Sequence, residues 1–202
     1  MRTIGALIFP GFELLDVFGP MEMFGLLSKD YELNLIAEHK GAIPSGQKLS
    51  AVADFSITER SDFDIIFVPG GVGTRREVKN LDLLKWIEKT ARHSEFVLSV
   101  CTGSALLAKT GLLDNKRATT NKAAFKWVET QGPNVHWVRQ ARWVEDDRFL
   151  TSSGVSAGMD MSLGAISKMH GKERAKQVAK WSEYDWHEDS NWDPFAAIHE
   201  LV

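Results

Sequence analysis

Cysteine occurs once in the 202 residues, so no intramolecular disulfide can form and packing alone must hold the fold. Charge of one sign is also lacking: 24 Lys and Arg stand against 27 Asp and Glu, for a net charge of −3. With no basic arm or stripe, a nucleic-acid partner is not expected. Long apolar runs are missing too. The run Ile4–Phe9 is stopped by Pro10-Gly11 after six residues, too short for a signal-peptide core or a membrane span. The expectation is a cytoplasmic protein with no membrane partner. The six histidines (His39, His93, His136, His170, His187, His199) include no pair at metal-ligand spacing, so neither metal nor other cofactor is expected. His39, in Glu38-His39-Lys40, and most of the others read as surface residues. No internal repeat and no low-complexity segment interrupts the chain.

What is present is ordinary globular composition, 44% hydrophobic and 25% charged. The length suits one domain over residues 1–202. Three short apolar runs, Ile4–Phe9, Ile65–Val68 and Phe96–Val100, read as strands buried on both faces, the signature of a parallel sheet covered by helices. Glu32–Ala37 is a fourth candidate. Helical spacing follows in Leu14–Phe24 and Leu81–Ala91, and again after Cys101, where Gly111 marks a stop. Trp137–Thr151 predicts short strands about an Asp146-Asp147 turn, Ala157–Met169 a helix, and Lys172–Lys180 a last helix. Strand and helix alternate, which predicts an α/β layered fold with a mostly parallel central sheet.

Chemistry concentrates at strand ends. Ser99-Val100-Cys101-Thr102-Gly103 reads as a strand–turn–helix junction, which lifts a side chain above the carboxyl edge of a sheet and sets it at a helix N-terminus. There a thiolate is favoured over a thiol. The same residue also reads as a buried structural cysteine. Asp16 lies inside the apolar string Leu14-Leu15-Asp16-Val17-Phe18, where an acid is costly unless paired or protonated. It reads equally as a helix-start acid, and Glu13 reads as a solvated first-turn acid. Pro69-Gly70-Gly71-Val72-Gly73 fits neither a dinucleotide fingerprint nor a P-loop. An oxyanion hole beside a nucleophile is the sharper reading.

Several strings together resemble the superfamily of DJ-1, ThiJ and the PfpI proteases over most of the chain. They are Phe9-Pro10-Gly11, Leu15-Asp16-Val17-Phe18-Gly19-Pro20, Val68-Pro69-Gly70-Gly71, Ser99-Val100-Cys101-Thr102-Gly103-Ser104, Leu107 through Leu113, Arg117-Ala118-Thr119-Thr120, Ser153 through Asp160, and Glu183-Tyr184. The Leu-Asp-x-x-Gly-Pro and Ala-Gly-x-Asp strings look most like the isocyanide hydratase branch, while AraC-type regulators share much of the pattern. The resemblance implies a flavodoxin-like three-layer sandwich, a homodimer, and a nucleophilic Cys101 at a strained elbow. It implies Asp16 as the paired acid and the N–H groups of Gly71 and Thr102 as oxyanion donors, with Gly70 and Val155 beside them. Asn121 stands where many relatives carry His, which argues against a Cys–His pair and against protease or amidotransferase chemistry.

The activity so implied is addition of water to an isocyanide, a small electrophile, giving an N-substituted formamide through a thioimidate on Cys101, with Asp16 as proton donor and then base. Two alternatives are a glyoxalase or deglycase acting on small dicarbonyls, and a non-catalytic sensor in which an exposed, low-pKa Cys101 is oxidised. The aromatic tail, with Trp181, Tyr184, Trp186, Trp192 and Phe195, is expected to join the pocket or a subunit contact, or to fold back on its own domain.

Overall fold

The computed structural model describes residues 1–202. Its elements run β1 (Arg2–Leu7), α1 (Leu14–Gly25), β2 (Tyr31–Ala37), β3 (Gly41–Pro44), β4 (Ser50–Ala53), β5 (Phe55–Ser56) and β6 (Ile65–Val68). Then come α2 (Thr74–Glu77), α3 (Leu81–His93), β7 (Phe96–Ser99), α4 (Gly103–Lys109), β8 (Arg117–Ala118), α5 (Phe125–Glu129), β9 (His136–Trp137) and β10 (Trp143–Asp146). The chain closes with β11 (Phe149–Ser152), α6 (Ala157–His170), α7 (Lys172–Trp181) and α8 (Phe195–Ile198). No helix is long and apolar enough to cross a membrane.

Seven strands form one sheet in the order β10-β11-β7-β6-β1-β2-β5, parallel throughout except for the β10–β11 pair. Every residue of β6 and β7 is buried, which is why those strands are apolar without alternation. Helices α1, α6 and α7 pack together over one face, and α2, α3, α4 and α5 over the other. The result is the expected three-layer α/β sandwich. Local chemistry explains the elements. Asn80 caps α3 by accepting the Leu83 N–H, and the buried stripe Leu83, Leu84, Trp86, Ile87, Thr90, Ala91 faces the sheet. Asp147 takes a positive φ of 57° in the β10–β11 turn.

Some boundaries and elements differ from expectation. The first strand runs Arg2–Leu7 rather than Ile4–Phe9: Ile8 keeps a single bond to β2, its N–H to Ile36 C=O at 2.7 Å, and Phe9 turns into the loop that carries Gly11. The helix after Cys101 ends at Lys109, since the chain turns there toward Gly111, whose φ is +77°. A β3–β4 hairpin and the short helices α2, α5 and α8 were not expected from periodicity.

The start of α4 lies hard against the end of β6. A Cβ on Gly103 would fall 2.2 Å from the Val68 carbonyl oxygen and 2.8 Å from that of Pro69. Both are backbone atoms that cannot rotate away. Gly103→Ala is therefore expected to lower unfolding free energy by about 2–4 kcal/mol in urea titrations. A loss under about 0.5 kcal/mol would show that α4 can shift freely from β6.

Candidate functional site

Four adjacent strands, β11, β7, β6 and β1, end at one place on the carboxyl edge of the sheet. Their following loops bring together Val155, Cys101, Gly70-Gly71 and the start of α1. Cys101 sits directly after β7 with φ +56°, a left-handed conformation that costs a non-glycine residue about 1–3 kcal/mol. The surroundings impose it. Cys101 N–H donates to Ser153 C=O at 3.0 Å. Its own C=O accepts the Thr120 hydroxyl at 2.9 Å and the Ser104 hydroxyl at 3.2 Å. The elbow expected from sequence is present, yet Cys101 is only 6% exposed.

Asp16 lies in the first turn of α1 and is fully buried. Its Oδ2 accepts the Gly70 N–H at 2.8 Å. Its Oδ1 has no hydrogen-bond partner. Burial pushes the carboxyl up to about 8, against the pull of the Gly70 N–H, and the Glu13 charge pushes it further. The Cys101 thiol pulls it down, acting on the carboxyl without reaching hydrogen-bond geometry. Burial likewise raises the thiol well above its ordinary value, and the Asp16 charge raises it again. Backbone N–H groups of Thr102 and Val155 and the Thr102 hydroxyl oppose this, and they lose to desolvation. The thiolate expected at this helix start, on which both the hydratase and the sensor readings drew, is thus opposed by burial, and the thiol is not exposed as the sensor alternative supposed. The pair holds its protons at neutral pH and takes its first negative charge near pH 8.

The donors differ from those the resemblance implied. Gly71 N–H is directed to Thr102 Oγ1 at 3.1 Å rather than left open. Thr102 Oγ1 also meets Thr74 Oγ1 at 3.1 Å, and Thr74 donates to Gly71 C=O at 2.7 Å. Gly70 serves Asp16, and its missing side chain admits Thr102, whose N would lie 2.5 Å from a Cβ there. The second N–H toward sulfur belongs to Val155. Val155 has φ +37°, rare for a β-branched residue, so two residues of this small region carry backbone strain.

A cavity of about 250 Å³ opens over Cys101, lined by Gly71, Val72, Thr102, Ala123, Ala124 and Val155, and by the polar Glu13, Arg75 and Asn121. Glu13 is not a simply solvated acid: it precedes α1 at this cavity, and its Oε1 accepts Gln47 Nε2 at 2.5 Å. Asn121 Oδ1 accepts the Ala124 N–H at 2.9 Å and shapes the turn into α5, so this position holds an amide where a Cys–His pair would need imidazole. No three His, Cys, Asp or Glu side chains converge to hold a metal ion. A second cavity of about 170 Å³ shares Asn121, Ala123 and Val155 with the first and is closed by Phe195 and His199. His199, read from sequence as a surface residue, is exposed yet lines this space.

The tail is fastened through Asp160, a buried carboxylate in the first turn of α6. Asp160 Oδ1 accepts Tyr184 OH at 3.0 Å and His187 N–H at 2.9 Å. Asp160 Oδ2 accepts Arg142 Nε at 2.6 Å, and Asp160 C=O accepts Trp186 Nε1 at 3.2 Å. The tail folds back on its own chain, while Trp181, Trp192 and Phe195 stay about half exposed.

The DJ-1/PfpI family model matches residues 2–168. An isonitrile hydratase of Pseudomonas putida is 32% identical over 181 residues, covering 90% of this chain and 78% of that protein. The HTH-type transcriptional regulator CdhR of Pseudomonas aeruginosa is 26% identical over 86% of this chain, which spans 52% of the regulator's length. A solved ThiJ/PfpI family protein from Pseudomonas syringae superposes with a TM-score of 0.85 at 27% identity, covering all of this chain and 86% of the other.

Holding Asp16 protonated has a sign that unfolding can read. Its value rises from 3.8 in the open chain to about 8 in the fold, so the folded protein binds the extra proton between those values. Stability from this group is full below about pH 4 and is lost as pH climbs through 8. The loss is bounded by roughly 6 kcal/mol at 1.36 kcal/mol per pH unit. Asp16→Asn should melt higher than the unsubstituted protein at pH 8.5 and match it near pH 4.5. A gap that does not change with pH would mean that Asp16 is ionised in the fold.

Proposed function

The chain belongs to the DJ-1/PfpI family, and on that premise we propose that it hydrates an isocyanide to an N-substituted formamide, acting as one domain with Cys101 as nucleophile. The observation that carries the reading is the buried pair of Cys101 and Asp16, an acid kept protonated beside a sulfur that faces two N–H donors. Similarity to an isonitrile hydratase supports it from a second direction.

The reacting form of the pair bears one negative charge. Burial opposes charge on either group; the reacting form is the one with the proton on Asp16 and the charge on sulfur, a form that the Thr102 and Val155 N–H groups stabilise. The thiolate attacks the terminal isocyanide carbon, and the Asp16 proton is delivered to the same carbon. A neutral thioimidate and an Asp16 carboxylate result, so charge is conserved. The carboxylate then takes a proton from water as the oxygen adds to the thioimidate carbon. The second water proton passes to nitrogen, leaving a tetrahedral oxyanion beside the N–H groups of Thr102 and Val155. Collapse expels the Cys101 thiolate and releases the formamide, with Asp16 again protonated. The burial of Cys101 and Asp16 keeps the proton they share away from bulk water, while the cavity above them is open to the substrate and to the water it consumes.

Homodimerisation is part of the same reading. Leu15 and Phe18 of α1 are 41% and 44% exposed, and Val52 of β4 is 65% exposed. A second copy of the chain would cover these apolar side chains, and α1 also carries Asp16. Light scattering should then give twice the monomer mass.

Formamide release from an aryl isocyanide, followed by ultraviolet absorbance, is the direct test. Cys101→Ser should lower kcat/KM at least about 1000-fold, or ~4 kcal/mol of barrier. In the unsubstituted protein kcat/KM should climb through about pH 8 as the pair gains its charge, and Asp16→Asn should be slow without that climb. Turnover within about tenfold in Cys101→Ser would remove the nucleophile assignment, since that is only ~1.4 kcal/mol.

A further inference from the structure

An unpaired guanidinium stands at the wall of the Cys101 cavity. Arg75 belongs to α2 and lines that cavity. Its guanidinium carbon lies 4.2 Å from the centroid of the Trp127 ring. One N–H donates to Thr74 Oγ1 at 3.3 Å, and Thr74 in turn meets Thr102, the residue next to the nucleophile. No carboxylate lies within ion-pair distance of Arg75, whereas the adjacent Arg76 is taken by Glu77. Glu13, the one acid lining the same cavity, is engaged by Gln47.

A free surface arginine samples many rotamers. Here the Trp127 face and Thr74 hold the fork in place before any ligand arrives, so little ordering remains to be done on binding. The remaining N–H groups match the two oxygens of a carboxylate. No second cation lines the cavity, which argues for a monoanion rather than a phosphate. At about 250 Å³ the space suits a short chain between the reacting carbon and that anion.

We infer that Arg75 is the specificity residue of this site and that the substrate carries a carboxylate on the isocyanide substituent, as a small isocyano acid. The inference rests on the hydratase reading only for the reacting end of the molecule. Hydration of isocyanoacetate would give N-formylglycine, with the carboxylate untouched.

Binding separates the two ideas. Calorimetry on Cys101→Ala protein compares N-formylglycine with N-formylglycinamide, which has nearly the same size without the charge. The acid is expected to bind at least tenfold more tightly, or ~1.4 kcal/mol. Arg75→Gln on the same background should erase the difference, and Arg75→Lys should keep part of it. Equal affinities, binding of neither compound, or a preference that survives Arg75→Gln would each overturn the assignment. Thermal melts of the Arg75 variants check the fold. Turnover of isocyanoacetate and its neutral methyl ester is measured separately on the unsubstituted protein. Formamide from neither, and none from the aryl isocyanide, would sink the hydratase reading, while the acid-against-amide comparison would still decide Arg75.

Discussion

Two acidic groups are buried side by side with no cation between them, and that constraint organises the site. Water would solvate a thiolate and a carboxylate separately; the interior solvates neither well. The fold supplies one N–H to Asp16 and several donors to sulfur, which is enough for a single charge and too few for two. The local backbone is shaped to deliver those donors. Gly70 approaches Thr102 more closely than any side chain would allow, and Cys101 and Val155 accept unfavourable φ angles to face one another's atoms. Gly103 lets α4 begin against β6, so the sulfur rises directly from the sheet edge.

The α/β sandwich was legible because its central strands are apolar on both faces and stop at Gly or Pro, and because its long helices keep a clear stripe. The β3–β4 hairpin escaped because its strands are only four residues each, are apolar on both faces without alternation in residue type, and leave one face solvent-exposed, Val52 included. Helices of four or five residues, such as α2 and α5, are too short to show a period. At the site, Asp16 and Cys101 stood out because each breaks a local rule, an acid in an apolar string and a thiol at a strand–helix turn. Val155 was marked only through family resemblance, and its donor role had no visible signal. A backbone N–H leaves no trace in residue type, and valine argues against the positive φ it adopts. Gly71 shows the converse error: a glycine beside a nucleophile suggests an open N–H, but the Thr102 hydroxyl occupies it.

Asp160 gives the tail its place. One buried carboxylate gathers Arg142, Tyr184 and the His187 backbone, while its carbonyl takes Trp186. Arg142 also reaches Ser156 at 3.4 Å, next to Val155. The last twenty residues are therefore tied to the same stretch of backbone that turns an N–H toward sulfur. Phe195 and His199 then wall the smaller cavity beside the site. Residues far apart in sequence share one local geometry because a single desolvated charge must be fully satisfied where it sits.

The only thiol in the chain is also a protected one, 6% exposed under a strained backbone. Alkylation by a maleimide whose substituent is too large to enter the cavity above the sulfur can then proceed only from conformations in which the elbow has opened. When reclosing outruns reaction, the labelling rate equals the intrinsic rate multiplied by the fraction open, as in amide hydrogen exchange. The native sequence thus carries a site-specific probe of its own breathing, with no engineered cysteine and no background from other thiols. A ligand that holds the elbow closed would register as protection, whether or not it reacts.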